Sequence, residues 1–264
     1  MPGTEAIIGS AVAGLAWTGF VALLTWLASL WRRDASLVDR VWALCIAGAG
    51  ATYLLWQPHG AARGWLMVGI ATAWALRLSL FITWRNWGHG EDRRYQAIRA
   101  RNQPHFGWRS LYLVFGLQAL LAWVVSAPLF VGVASAGPLT VVDALGAALA
   151  LFGIGFEAVA DAQLARFKAD ARHHGAVMDR GLWRYTRHPN YFGEACVWWG
   201  LGAMACAPGI AGAWSIVSPL LMTVLLLRVS GVRLLEQDIT ERRPAYRDYI
   251  ARTNAFFPGP PRRM

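Results

Sequence analysis

The sequence predicts an all-α integral membrane protein, with about seven transmembrane helices in one bundle, the N-terminus outside and the C-terminus in the cytoplasm. Three observations carry this. Hydrophobic residues fill 56% of the 264 positions and charged residues 15%, whereas an ordinary globular protein carries roughly 25% charged residues. Apolar runs of bilayer length, about 20 residues each, recur along the whole chain. The basic residues gather in alternate connections between those runs.

The first run, 6–31, stops at Arg32-Arg33, and the second, 38–57, is closed by Pro58 and Gly60. The third, 64–86, carries Arg77 inside it and ends in Arg85. A polar segment from Asn86 to Gly107 follows, with Arg93, Arg94, Arg99 and Arg101. The fourth and fifth runs, 109–133 and 139–163, are joined by the tight Ser135-Ala-Gly-Pro138. A second polar segment, 164–188, holds Lys168, His173, His174 and Arg180. The sixth and seventh runs, 190–207 and 211–235, flank a turn at Pro208-Gly209, and a charged tail closes the chain from Glu236 to Met264. The N-terminus lacks the basic n-region of a signal peptide and its apolar run is long enough to span, so it reads as a first helix and not as a cleaved leader.

Arginines crowd the connections after runs one, three, five and seven, while the others hold only Arg63. The positive-inside rule then places the arginine-rich connections in the cytoplasm, and an inner bacterial membrane is the expected location. The net charge is +10, with Lys168 the single lysine. A nucleic-acid-binding domain of that charge would be solvated and free of long apolar runs, so no nucleic-acid partner is expected. Cys45, Cys196 and Cys206 lie in apolar runs without metal-ligand spacing, which predicts neither a disulfide nor a metal site.

Ionisable residues also fall inside the predicted spans, in their cytoplasmic halves: Arg77, Glu157, Asp161, Glu194 and Arg228. Lipid does not solvate such groups, so they are expected to point inward and pair across the bundle or meet a ligand. Glu157 and Asp161, four apart, share one helix face. A structural ion-pair network would use the same residues and is the alternative.

The densest polar stretch is Gly181-Leu-Trp-Arg-Tyr-Thr-Arg-His-Pro-Asn-Tyr-Phe-Gly-Glu194. Gly181 permits a turn, and Pro189 suits the first turn of a helix. That helix start presents free N–H groups and a positive dipole end, which favours an anion. Arg184 and Arg187 add phosphate-binding forks. Tyr185 and Tyr191 can stack on a ring, and Glu194 can hold an amide or a ribose hydroxyl. A basic interfacial loop that binds lipid headgroups, anchored by Trp183 and Tyr185, is the competing reading. Gly90-Glu-Asp-Arg-Arg-Tyr95 reads either as a cytosolic lid or as a solvated charge run.

Arg187-His-Pro-Asn-Tyr-Phe-Gly-Glu194 resembles the signature of the steroid 5-alpha-reductase C-terminal-like group of membrane enzymes. That superfamily also holds sterol Δ14-reductases and isoprenylcysteine carboxyl methyltransferases. The likeness extends to Glu157–Lys168, Leu227–Glu236, Tyr246–Tyr249 and Phe256–Pro258, and is nearest to a bacterial branch known as domain of unknown function 1295. Residues 1–264 then form a single transmembrane reductase-like domain, with the cofactor signature in 140–258.

The resemblance implies NADPH bound from the cytosolic side and hydride transfer to the C=C bond of a lipophilic enone or similar alkene. Carried onto this chain, the cofactor positions are Asp161, Lys168, Tyr185, Arg187, His188, Asn190, Tyr191, Glu194, Arg228 and Glu236. The steroid reductases polarise the substrate carbonyl with a Gln-Glu pair in the second helix and a Tyr in the third. This chain has no Gln-Glu dipeptide, and Trp74 stands where the Tyr is due. Asp39 is the catalytic candidate in that place, or else a salt-bridge partner of Arg40 or Arg33; Tyr53 and Tyr112 are further hydroxyl candidates. The alternative function is an S-adenosylmethionine-dependent methyltransferase of the isoprenylcysteine type, which shares an Arg-His-Pro-x-Tyr-x-Gly motif. The expected partners are a lipophilic small molecule and membrane lipid.

Overall fold

The computed structural model describes residues 3–57, 62–229 and 231–262, and none of them is in a strand. The helices are α1 (Thr4–Arg32), α2 (Leu37–Trp56), α3 (Ala62–Arg85), α4 (Arg93–Arg101), α5 (Phe106–Ser110), α6 (Leu117–Val125), α7 (Ala127–Ala134), α8 (Val141–Ala169), α9 (Pro189–Cys206), α10 (Val217–Val224), α11 (Val232–Glu236), α12 (Ile239–Arg242) and α13 (Tyr246–Arg252). Six helical stretches among the described residues are long and apolar enough to cross a membrane: α1, α2, α3, Phe106–Ala134, α8 and Ile210–Arg242. The protein is an all-helical integral membrane protein. The expected close of the second run at Pro58 and Gly60 lies outside the described residues.

Three elements differ from expectation. α8 continues to Ala169, well past 163, because Gln163 to Lys168 are mostly good helix formers that need no bilayer around them. The fourth run is divided by a π-helical turn at Leu111–Gly116 and by a break at Ser126, where Pro128 enters the first turn of α7 without a backbone donor. α9 forms over 18 residues but is not among the six apolar stretches, since Asn190, Glu194 and its glycines dilute its hydrophobicity.

The chain gathers into two compact units: residues 1–143 with 204–218, and residues 144–203 with 219–264. In the first unit α1 packs along α2, and α2 along α3. α1 ends at Arg33, whose left-handed φ of 54° turns the chain. α4 is tied to the α1–α2 connection by Glu91, which accepts the Ala35 N–H at 2.8 Å and the Arg99 Nε and Nη2 at 2.8 and 2.7 Å. Behind it Tyr95, Phe106, Trp26 and Phe115 form one buried apolar cluster. Farther along the unit, Arg63 and Asp143 form a fully buried pair, with Nε–Oδ1 at 2.6 Å and Nη2–Oδ2 at 2.9 Å. Ser135 Oγ and the Pro138 carbonyl take further Arg63 donors, and Thr140 donates to Asp143. The pair satisfies itself by hydrogen bonds on both sides, as a buried pair must.

The second unit is organised by α8 against α9. Gly146, Ala150, Gly153, Glu157 and Ala160 are buried along one stripe of α8 at the alternating spacing of a helix face. A side chain at Gly193 of α9 would stand 2.7 Å from the Gly153 carbonyl oxygen and 2.7 Å from the Glu157 nitrogen. Only glycine permits this approach of two backbones. Gly146 lies against Gly200 and Gly153 against Gly193, so the helices run antiparallel, with Glu157 level with the first turn of α9 and Asp161 one turn farther along α8.

Candidate functional site

The approach to α9 is fixed before the helix begins. Gly181 takes a left-handed φ of 57°, a conformation a side chain would strain. Gln163 of α8 fills the space beside it and accepts the Leu182 N–H at 2.9 Å. Trp183 is buried and donates its indole N–H to the Ala160 carbonyl at 3.0 Å. The closing tail then wraps the same stretch. Thr186 Oγ1 donates to the Phe256 carbonyl at 2.8 Å, the Arg187 N–H to the Asn254 carbonyl at 2.9 Å, and the Gly259 N–H to the Tyr185 carbonyl at 3.0 Å. Tyr249 donates its hydroxyl to the Trp183 carbonyl.

Arg187 is the centre of this knot. Its Nε and Nη2 grip Glu236 at 2.7 and 2.9 Å, and Nη1 donates to the carbonyls of Ile250 and Thr253. Four of its five N–H donors are thus engaged inside the unit. His188 Nε2 meets the same Glu236 Oε1 at 2.9 Å, and Tyr191 stacks on the His188 ring at 5.5 Å. The phosphate fork expected of Arg187 is therefore a clamp on the tail. A residue two positions before a helix can face either way, and only the fold brings Glu236 to it.

The remaining predicted positions divide. Glu157, Asp161 and Glu194 are buried, on the two facing helices. Asn190, in the first turn of α9, has a buried side-chain oxygen with no hydrogen-bond partner. Lys168 and Tyr185 are exposed. Arg228, expected to point inward, is exposed as well. It sits in a π-helical turn, Leu225–Val229, whose extra residue rotates every following side chain relative to an α-helix. Arg77 is half-buried, with its guanidinium 5.6 Å from the Phe81 ring.

Asp39 lies in the first unit. Its partners are Arg94 Nη2 at 2.8 Å and the Tyr95 hydroxyl at 2.6 Å, while Arg40, an expected partner, lies 3.7 Å from Asp34. Of the further hydroxyl candidates, Tyr53 shares a hydrogen bond with Ser126 at 2.7 Å and Tyr112 is exposed. The stretch Gly90–Tyr95 is not a solvated charge run, because Tyr95 is buried and Asp92 caps α4 through the Arg94 N–H at 2.9 Å. Burial and the neighbouring Asp39 push the Tyr95 hydroxyl well above the usual phenol range. The same unit carries an apolar groove of about 460 Å³ lined by Leu24, Leu37, Leu44, Leu76 and Leu80, with Ser79 inside it.

Comparison with known proteins adds the family. Residues 25–253 match a family described as a protein of unknown function, DUF1295. The chain belongs to the DUF1295 family. An uncharacterized protein of Schizosaccharomyces pombe, C594.04c, is 26% identical over 285 residues, which cover 94% of this chain and 79% of that protein. No solved structure matches this DUF1295 member. The family match takes in Asp39, α8, the Gly181–Glu194 stretch and Glu236.

Proposed function

We propose that the protein is a membrane oxidoreductase that binds NADPH on its second unit and reduces the C=C bond of a lipophilic enone or related alkene. The observation that carries this reading is the Asn190 side-chain oxygen, buried without a partner at the start of α9, one turn from Glu194 and on the helix that packs against the α8 carrying the buried carboxylates Glu157 and Asp161. A buried acceptor left unpaired costs about 1–3 kcal/mol, and a ligand donor arriving there recovers it. Acceptors in this arrangement suit the carboxamide and ribose hydroxyls of a dinucleotide. NADPH, when bound, supplies the hydride for the alkene carbon. Asn190 and Glu194 orient it by accepting its donors.

In the first unit Asp39 is the catalytic candidate, its carboxylate accepting the Tyr95 hydroxyl at 2.6 Å and Arg94 Nη2 at 2.8 Å. In this reading α9 makes a seventh crossing, and the arginine-rich connections and the start of α9 face the cytoplasm.

A methyltransferase using S-adenosylmethionine is the second reading. It is favoured by Arg187, whose engagement with Glu236 removes one phosphate ligand that a dinucleotide would use. Thermal stability of the detergent-purified protein with NADPH, NADH and S-adenosylmethionine separates the two. A ligand at about 100 times its Kd adds about 2.7 kcal/mol. A shift with NADPH above NADH supports the reductase; a shift with S-adenosylmethionine alone transfers the site to methyl transfer; no shift with any of them overturns both.

A further inference from the structure

A second polar feature of the C-terminal unit lies apart from the buried carboxylates. A cleft of about 520 Å³ opens between the segment leading into α9 and the closing tail, lined by Asp179, Arg180, Gly181, Arg184, Arg252 and Arg262 among others. Four arginines meet there against one carboxylate. That carboxylate is already taken, because Asp179 Oδ2 accepts Arg252 Nη2 at 2.5 Å. Arg252 Nε is buried and has no partner. The guanidinium groups of Arg180, Arg184 and Arg262 have no hydrogen bond or ion pair among the described residues.

The tail is not there by accident of a loose end. The Arg262 N–H donates to the Arg252 carbonyl at 2.9 Å, and the Gly259 N–H to the Tyr185 carbonyl at 3.0 Å. The first bond folds the tail on itself, and the second holds it against the segment leading into α9. Gly181, fixed in its left-handed turn by Gln163, sends the chain from Arg180 to Arg184 along the opposite side. Convergent like charges repel, and they are tolerated where an anion joins them. The planar donor fork of arginine matches phosphate oxygens in pairs.

We propose that this cleft binds a phosphate group, supplied either by an anionic lipid headgroup or by a soluble phosphate compound. Arg184 and Arg262 grip it from the two walls, Arg180 adds charge at the rim, and Asp179 holds Arg252 in place. The site uses none of Asn190, Glu194 or Asp161, and its test contains no NADPH.

The test uses the full-length, detergent-purified protein in two arms. Sodium pyrophosphate is titrated calorimetrically, and native mass spectrometry counts retained phosphatidylglycerol against phosphatidylcholine. Arg184→Gln and Arg262→Gln are compared with the unaltered protein, both at exposed positions whose side chains hold nothing else in the unit. Each substitution should weaken binding about tenfold in the arm that reports it, the loss expected when one charged hydrogen bond goes, and Arg184→Lys should recover part of it. Pyrophosphate binding that falls in this way assigns a soluble phosphate; selective phosphatidylglycerol retention that falls in this way assigns a lipid headgroup. Absence of binding in both arms for the unaltered protein overturns the proposal, as does binding that neither glutamine variant weakens.

Discussion

Arg187 and Glu236 stand 49 positions apart and meet in a two-pronged ion pair, Nε to Oε1 at 2.7 Å and Nη2 to Oε2 at 2.9 Å. Both side chains are largely buried, at 9% and 17% exposure, and His188 shares the same carboxylate. The pair joins the approach to α9 to the end of α11, and through Ile250 and Thr253 it also holds the tail.

Removing one partner should therefore cost more than the pair contributes. Arg187→Met alone leaves the largely buried Glu236 with only His188, and a loss of about 3–5 kcal/mol is expected. The double variant Arg187→Met, Glu236→Met should recover a large part of that loss. Chemical denaturation of the four proteins in a double-mutant cycle measures it; equal loss in the single and double variants would deny the coupling.

Asn190→Ala should separate stability from ligand binding. Its side-chain oxygen has no partner to lose, so the ligand-free protein should keep its stability or gain about 1 kcal/mol. The NADPH-induced shift in Tm should shrink or vanish. Destabilisation of the ligand-free protein together with an undiminished shift would remove Asn190 from the cofactor site.

Gly193→Ala should push α9 away from α8. The added carbon would lie 2.7 Å from the Gly153 carbonyl oxygen and 2.7 Å from the Glu157 backbone nitrogen, neither of which is a flexible end. A loss of about 1–3 kcal/mol is expected from such overpacking. Gly155→Ala, on the same pair of helices with open space around it, serves as the control. Comparable Tm values for the two variants would contradict the close approach.

Acid should loosen α4 before the rest of the first unit. Burial raises the Glu91 pKa, but Arg99 and the Ala35 N–H outweigh it and hold the carboxyl below its ordinary value. A group depressed in this way stabilises the fold above its unfolded pKa, and that contribution disappears as pH falls through the lowered folded value. Protection of the amides of Arg93–Arg101 against hydrogen exchange should fall on acidification below the ordinary carboxylate range. In Glu91→Gln it should already be low at neutral pH. A pH-independent exchange pattern in the unaltered protein would exclude this linkage.

Much of the fold was legible because membrane helices announce themselves by length and hydrophobicity. The spans at 6–31, 38–57 and 64–86 fall on α1, α2 and α3 to within a few residues, since a bilayer admits little else for such runs. The burial of Glu157, Asp161 and Glu194 was legible too, because an ionised group inside an apolar run has nowhere to go but inward. Periodicity could not show Arg228, because a π-helical turn changes the phase of a helix without leaving a signature in composition.

What the sequence by itself determined was the class of solvent and the helical nature of each long segment, both properties of local runs. What only the tertiary structure decided was which arginine meets which carboxylate. Arg187 is engaged by Glu236, Asp39 by Arg94 and Tyr95, and Arg63 by Asp143, while Arg180, Arg184 and Arg262 are left to converge on one cleft. Charges are alike in a sequence, and their partners are set by distances that exist only once the helices have packed.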